Sequence, residues 1–418
     1  MAAKRRRDEA LDSPSKLAAA SAGDDTTESP AEFAEPVYLV AKRCDDKSPY
    51  SLLVADAAAA AAVGSHEAPP GPGPGSRNLG GIPGAKRGMS FVAAHSAHGS
   101  WIVGVGGRAG DTVIYDPIAR REFVGPELRC PKHEPVLISH GGKVYAISRR
   151  PKVRIRAKRD FEPWFESLNL KKGIPYIDHL GCPSWRELPP PPFFPCLLTP
   201  EEFRDNLPEV TVSSYAAVGA YILISLEQED KGTYGFHLVK KKTWEKVSDK
   251  GLPFVGQAVP LGGGGGGSLF AACSVMSSLI PNNAAAESMC VFDMSIKASS
   301  STPEVSPKLV ISVLSILPVA SEGEIPRPIL CPLGKGSFCS IRKAVHQSEE
   351  SDNLVGLKIV LTAFQMGNIE AAEDLQAPVQ LERHDRAYEF SVRPQCLDLP
   401  MPVVAALSMY EPPNLHVI

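Results

Sequence analysis

The stretch Pro135-Val-Leu-Ile-Ser-His-Gly-Gly-Lys-Val-Tyr-Ala-Ile147 holds two β-rich runs around a glycine pair. Branched and aromatic side chains suit a pleated, half-buried surface, and Gly141-Gly142 suits the positive φ values of a tight primed turn. The stretch therefore reads as an antiparallel hairpin. The same grammar extends outward. Ser90 to Ala94, Trp101 to Val105 and Asp111 to Tyr115 precede it as short strands. Farther back, Val37 to Ala41 and Ser51 to Ala55 flank the charged turn Asp-Asp-Lys-Ser-Pro, a second hairpin. No amphipathic helical pattern longer than about 12 residues intervenes. Thr199 to Leu207, with Pro200 at its first position, reads as a single helical turn. Glycine (35) and proline (39) make up nearly 18% of the 418 residues, against about 12% in an average protein, so turns punctuate the chain often. The class is all-β and antiparallel, with helix below about 10% where an average globular protein has about 30–35%.

The strands recur as units. Apolar first strands begin near Phe91, Pro135, Thr211, Val255, Pro328 and Pro402, at spacings of 44, 76, 44, 73 and 74 residues. A glycine-containing turn and a second apolar strand generally follow, as at Lys143 to Ile147, Ala220 to Leu226 and Ser337 to Arg342. Third strands such as Val113 to Asp116 and Met289 to Asp293 end at or near an aspartate or another polar residue. A fourth segment twice carries tryptophan followed by Leu-Pro, at Trp185-Arg-Glu-Leu-Pro189 and from Trp244 to Leu252-Pro253. This unit, near the roughly 50 residues of a kelch repeat, resembles the kelch-like β-propeller family from about Val37 to the end of the chain. Clean glycine doublets are limited to Gly106-Gly107 and Gly141-Gly142, and the glycine run at 262–267 is low-complexity sequence. The Trp185-Arg-Glu-Leu-Pro wording is also similar to propellers of plant kelch and F-box-associated proteins. The tail before Val37 is too short and polar for an F-box-like module, so a ubiquitin-ligase role is not carried over.

The resemblance implies one propeller over residues 36–418, six-bladed with seven as the alternative count. The last apolar run, Pro402 to Met409, has nothing after it to complete a blade, and the first two runs lack a preceding inner strand. Joining them gives one mixed blade and removes an exposed strand edge. Long loops are expected at 64–88, 161–208 and 369–387. Residues 1–35 form a tail too polar to offset its ordering entropy, and read as disordered.

Charge and cysteine usage narrow the class. The net charge of −3 argues against a molecule that binds nucleic acid through its overall field. No signal-peptide pattern follows the N-terminus, and the longest apolar run, 57–63, is short and alanine-rich. The expectation is no membrane segment. Nine cysteines, an odd number with no C-x-x-C spacing, read as reduced thiols in the nucleus or cytoplasm. Lys4, Arg5, Arg6 and Arg7 form either a nuclear import signal or a solubilising tail.

Five basic residues, Arg150, Lys152, Arg154, Arg156 and Lys158, alternate strictly, so on a strand they share one face. One reading is a phosphate-contacting stripe, with Trp164 and Phe165 nearby for stacking. The other, favoured by the net charge and by Asp160, Glu162 and Glu166, is a solvated strand face. Gly334-Lys335-Gly336-Ser337 lacks the full phosphate-loop frame, and Gly104 to Ala109 fails the dinucleotide fingerprint. His95, His98, Cys130, His133 and His140 have the chemistry of zinc ligands without the spacing of a closed site. Copper oxidation of the galactose oxidase kind needs tyrosine and histidine ligands with a cross-linked cysteine, and no such constellation is legible. The sequence thus points to a non-catalytic scaffold, a monomer without cofactor or metal that binds a protein partner through its loops. A nuclear nucleic-acid-associated protein and an enzyme using the central channel are the alternatives.

Overall fold

The computed structural model describes residues 36–43, 49–56, 76–151, 164–175, 184–192, 210–227, 231–239, 242–262, 268–275, 287–297, 307–318, 329–334, 336–343, 355–366, 381–392 and 403–409. Among them there are 24 strands and no α-helix. Sheet I joins β1 (Pro36–Lys42), β2 (Tyr50–Asp56) and β3 (Ser76–Gly81) to the last strand, β24 (Val403–Ser408), in the order β24-β1-β2-β3. Sheet II runs β4 (Met89–Ser96), β5 (Gly99–Gly106), β6 (Asp111–Asp116), β7 (Arg121–Val124). Sheet III runs β8 (Val136–His140), β9 (Lys143–Ile147), β10 (Phe165–Asn169), β11 (Arg186–Glu187).

An eight-stranded sheet follows, made of two antiparallel sets. Set IV is β12 (Val212–Val218), β13 (Tyr221–Leu226), β14 (Thr233–His237) and β15 (Trp244–Ser248); set V is β16 (Val255–Pro260), β17 (Leu269–Val275), β18 (Glu287–Lys297) and β19 (Lys308–Pro318). A short parallel bridge, Ser214 to Gly256 and Tyr215 to Gln257, joins the two. Sheet VI is β20 (Ile329–Gly334), β21 (Ser337–Lys343), β22 (Val355–Met366) and β23 (Leu381–Val392). The fold is all-β and β-propeller-like.

The sheets bury both faces, so their inner strands read as nearly continuous apolar runs. In β1, Val37, Leu39 and Ala41 join a cluster with Cys331, Ile341 and Leu361 of sheet VI, while Tyr38 and Val40 pack toward Phe91, Ile102 and Val113 of sheet II. The same alternation sets Val103 and Val105 against Val144 and Trp185, Phe165 against Phe236, Val218 against Phe292, and Ala271 against Phe338. Each apolar cluster therefore spans two neighbouring sheets, through II–III, III–IV, IV–V and V–VI as well as the two around sheet I.

The hairpin around Gly141-Gly142 forms as expected: His140 pairs with Lys143, and the glycines take φ of 57° and 68°. The joining of the chain ends is also present, with β24 antiparallel to β1 through Tyr38–Leu407, Leu39–Ala406 and Val40–Ala405. Three expected loops are shorter than the sequence suggests. Within 64–88, Ser76–Gly81 is strand β3 on the edge of sheet I, and Ile82 and Ala85 are buried. Within 161–208, β10 and β11 complete sheet III. Within 369–387, β23 pairs along its whole length with β22. Of these, β3, β11 and β23 are outer strands, which owe their conformation to pairing and carry little apolar alternation of their own. The tail at 1–35 and the helical turn expected at 199–207 lie outside the described residues.

Candidate functional site: a cavity at the hub

One cavity of about 480 Å³ is lined by residues from the first strands of all six sets, β4, β8, β12, β16, β20 and β24. It lies where most of those strands begin and where second strands end, so Arg149 and Arg150, just after β9, and Glu227, just after β13, reach it. The lining is lopsided. Among the described residues its charged side chains are Arg149, Arg150 and Glu227, from sheets III and IV. Strand β12 adds Thr211, Ser213 and Tyr215, alternate residues that share one face of a strand, and sheet V adds Gln257. Sheets VI and I contribute Ile329, Leu330, Val404 and Leu407, with no polar side chain among the described residues.

The backbone fixes the charged rim. The Arg149 carbonyl accepts from Val212 N–H at 3.0 Å, and the Thr211 carbonyl accepts from Glu227 N–H at 3.0 Å. Arg149 Nε donates to the Glu134 carbonyl at 3.2 Å. Glu134 has φ +47°, a left-handed conformation that non-glycine residues seldom adopt. Its N–H donates to the Gly88 carbonyl at 2.7 Å, and its carboxylate pairs with Lys42 Nζ at 3.4 Å. Arg149 is half-buried; Arg150 and Glu227 are exposed. Among the described residues none of the three enters an ion pair, although Arg and Glu stand on adjoining sheets.

Of the basic stripe, Arg150 alone is described, and it lines the cavity mouth; Lys152, Arg154, Arg156 and Lys158 lie outside the described residues, as do Lys4, Arg5, Arg6 and Arg7. Trp164 and Phe165 do not serve as stacking platforms. They are buried in the cluster between sheets III and IV, where Phe165 packs edge-on to Phe236 at 4.9 Å, because an indole and a phenyl ring gain more from burial beside apolar strands than from exposure. Gly334 ends β20 at φ +89° and pairs with Ser337 at the start of β21. Gly104 and Gly106 end β5.

His95 and His140 are buried and His98 and His133 exposed; no group of three or more His, Cys, Asp or Glu able to hold a metal occurs among the described residues. Burial pushes both His95 and His140 down to about 4, so each is neutral at pH 7. His95 Nδ1 shares a hydrogen bond with Ser100 Oγ at 2.9 Å. No helix among the described residues is long and apolar enough to cross a membrane.

Sequence reasoning marked Arg150 as charge but missed Glu134, Tyr215, Glu227 and Gln257. The available signal was positional: each lies just before or within a first strand, or just after a second, and such positions converge on the hub.

No curated protein matches the chain. Among solved structures, a protein of Bacteroides fragilis NCTC 9343, provisionally named a 6-phosphogluconolactonase, is similar at a TM-score of 0.41 and 10% identity, over 92% of this chain and 99% of that one. A Lactobacillus plantarum protein gives a TM-score of 0.41 and 10% identity, over 86% and 82% of the two chains. A family model described as "Protein of unknown function (DUF1668)" matches residues 34–388, most of the chain and nearly all of its strands. On that match the chain belongs to the DUF1668 family.

Proposed function

We propose that the chain is a closed, six-bladed propeller of the kelch-like kind and acts as a non-catalytic binding module in the nucleus or cytoplasm, engaging a protein partner on the face where the hub cavity opens. Two observations support the ring: the pairing of β24 with β1, and apolar clusters that run from sheet to sheet back to sheet I. The observation that carries the recognition face is the charged rim. Arg149 and Glu227 are held by backbone contacts at the cavity mouth, beside Arg150, and the three form no ion pair among the described residues. Rigid sheets presenting polar groups at their ends suit recognition, since binding residues concentrate on segments held by a scaffold.

The test is cross-linking from cell extract with the full chain as bait, beside Arg150→Glu. A stoichiometric protein partner that the variant loses supports the reading. Recovery of nucleic acid in place of protein, or equal capture by the variant, overturns it. A second reading, an enzyme acting in the hub, draws on Tyr215 and Glu227 sharing one cavity with two arginines. Substrate turnover abolished by Glu227→Gln would favour it over the binding module.

A further inference from the structure

We propose that the hub cavity binds a small amphipathic organic anion, whose carboxylate or phosphate head lies on Arg149 and Arg150 and whose apolar body lies toward sheets VI and I. The inference rests on the reading of the cavity end as the recognition face, and goes beyond it by naming what enters. The size comes first. A volume of about 480 Å³ falls within the roughly 300–1,000 Å³ of small-molecule sites, too little for a folded domain.

The distribution of charge comes second. Among the described residues the charged lining groups lie on sheets III and IV, and the lining side chains from sheets VI and I are apolar. In the proposed ring those two arcs face each other across the hub. A molecule polar at one end and apolar at the other matches this lining, and a fully polar ion does not. Arginine is suited to the head group, because its planar fork donates two parallel hydrogen bonds to a carboxylate or phosphate.

The third observation is preorganisation. Arg149 Nε is occupied by the Glu134 carbonyl, which orients the guanidinium and leaves its terminal nitrogens without a protein partner among the described residues. Glu134 reaches that position only in the left-handed region, tied down on both sides by Gly88 and Lys42. Backbone strain over-determined by neighbouring contacts is characteristic of binding sites. Glu134 is thus a positioning residue. Glu227, on the adjoining sheet, adds selectivity: it repels a second anionic group and accepts from a hydroxyl or amine on the ligand.

The experiment titrates the full chain with 1-naphthoate, 1-naphthyl phosphate, neutral 1-naphthalenemethanol and inorganic phosphate by calorimetry. Either naphthyl anion should bind at least tenfold more tightly than both the neutral alcohol and inorganic phosphate, and the tighter of the two identifies the head group. Arg149→Gln and Arg150→Gln should each weaken that binding tenfold or more while thermal melting is unchanged, and Arg149→Lys should restore part of it. Equal affinity for alcohol and anion, inorganic phosphate bound as tightly as the naphthyl ester, or an unchanged affinity in Arg150→Gln would overturn the proposal. Should no anion bind while partner cross-linking stays sensitive to Arg150→Glu, this inference falls and the recognition face stands. If neither responds, both fall.

Discussion

Sheets I and III do the same architectural job by different means. Sheet I is assembled from the two ends of the chain, and apolar side chains fill both of its faces. Its polar ties include Tyr50 Oη donating to the Met89 carbonyl at 3.3 Å, Ser408 Oγ to the Pro332 carbonyl, and Lys42 pairing with Glu134 at a half-exposed site. Sheet III is continuous in sequence and adds a buried polar node. There Glu166 of β10, fully enclosed, accepts from Lys132 Nζ and from Arg129 N–H at 2.9 Å. Beside it Trp185 Nε1 donates to Thr112 Oγ1 and the Pro126 carbonyl, both at 3.0 Å, tying sheet III to sheet II. Apolar burial holds a sheet without choosing its register, which in sheet I is set by the long pairing of β1 with β2 and β24. A satisfied buried ion pair specifies geometry more sharply and fails more sharply when half of it is removed.

The largest effect should come from removing the seam. Deleting residues 403–418 withdraws Val403, Ala405, Ala406 and Leu407, all buried, and exposes the edges of β1 and its neighbours. Each large apolar side chain contributes about 1.5–3 kcal/mol, against a total stability of about 5–15 kcal/mol. The truncated chain should be insoluble, or molten with no cooperative thermal transition. Deleting residues 1–30 should leave the melting temperature unchanged.

Next comes the node of sheet III. Lys132→Met leaves the Glu166 carboxylate enclosed without its cation and should cost about 3–5 kcal/mol in denaturant unfolding. Lys132→Met combined with Glu166→Leu should recover most of that loss. A double variant no better than the single one would mean that the pair does not act as a unit.

Acidification offers a smaller, graded effect. His95 and His140 have folded values near 4, below the unfolded 6.5. Between those values the unfolded chain binds more protons than the folded one, so stability is complete above about 6.5 and declines as pH falls toward 4. From pH 7 to pH 5 each histidine should cost about 2 kcal/mol. His95→Asn and His140→Asn should each flatten this slope, measured as the difference in unfolding free energy at the two pH values.

The smallest effect sharpens the contrast between scaffold and site. Arg150 is exposed and makes no ion pair among the described residues, so Arg150→Gln should alter stability by no more than about 0.5 kcal/mol. The same change should remove the cavity's hold on an anion.

What the sequence disclosed follows this division of labour. First strands are rich in apolar residues, and all six begin within two residues of the positions read from sequence. Glycine at two consecutive positive φ values made the β8–β9 turn legible. Outer strand β3 was hidden because pairing, not composition, makes it a strand: it reads Ser-Arg-Asn-Leu-Gly-Gly, whereas tryptophan marked the segments that form β11 and β15. The hub was hidden for a different reason. Arg149, Glu227 and Gln257 are far apart in sequence, and only the arrangement of sheets brings them to one cavity. Trp164 and Phe165 misled because aromatic rings next to a basic run have the composition of a stacking site, whereas both are buried in the cluster between sheets III and IV.

In the proposed ring, β1 and β24 close the sheets around that cavity. Cross-strand NMR contacts between β1 and β24 in the deuterated full chain test this closure most directly. The account predicts contacts between Tyr38 and Leu407, Leu39 and Ala406, and Val40 and Ala405, with the β1 amides strongly protected from hydrogen exchange. Absence of those contacts, with β1 amides exchanging as fast as those of an unfolded tail, would contradict it.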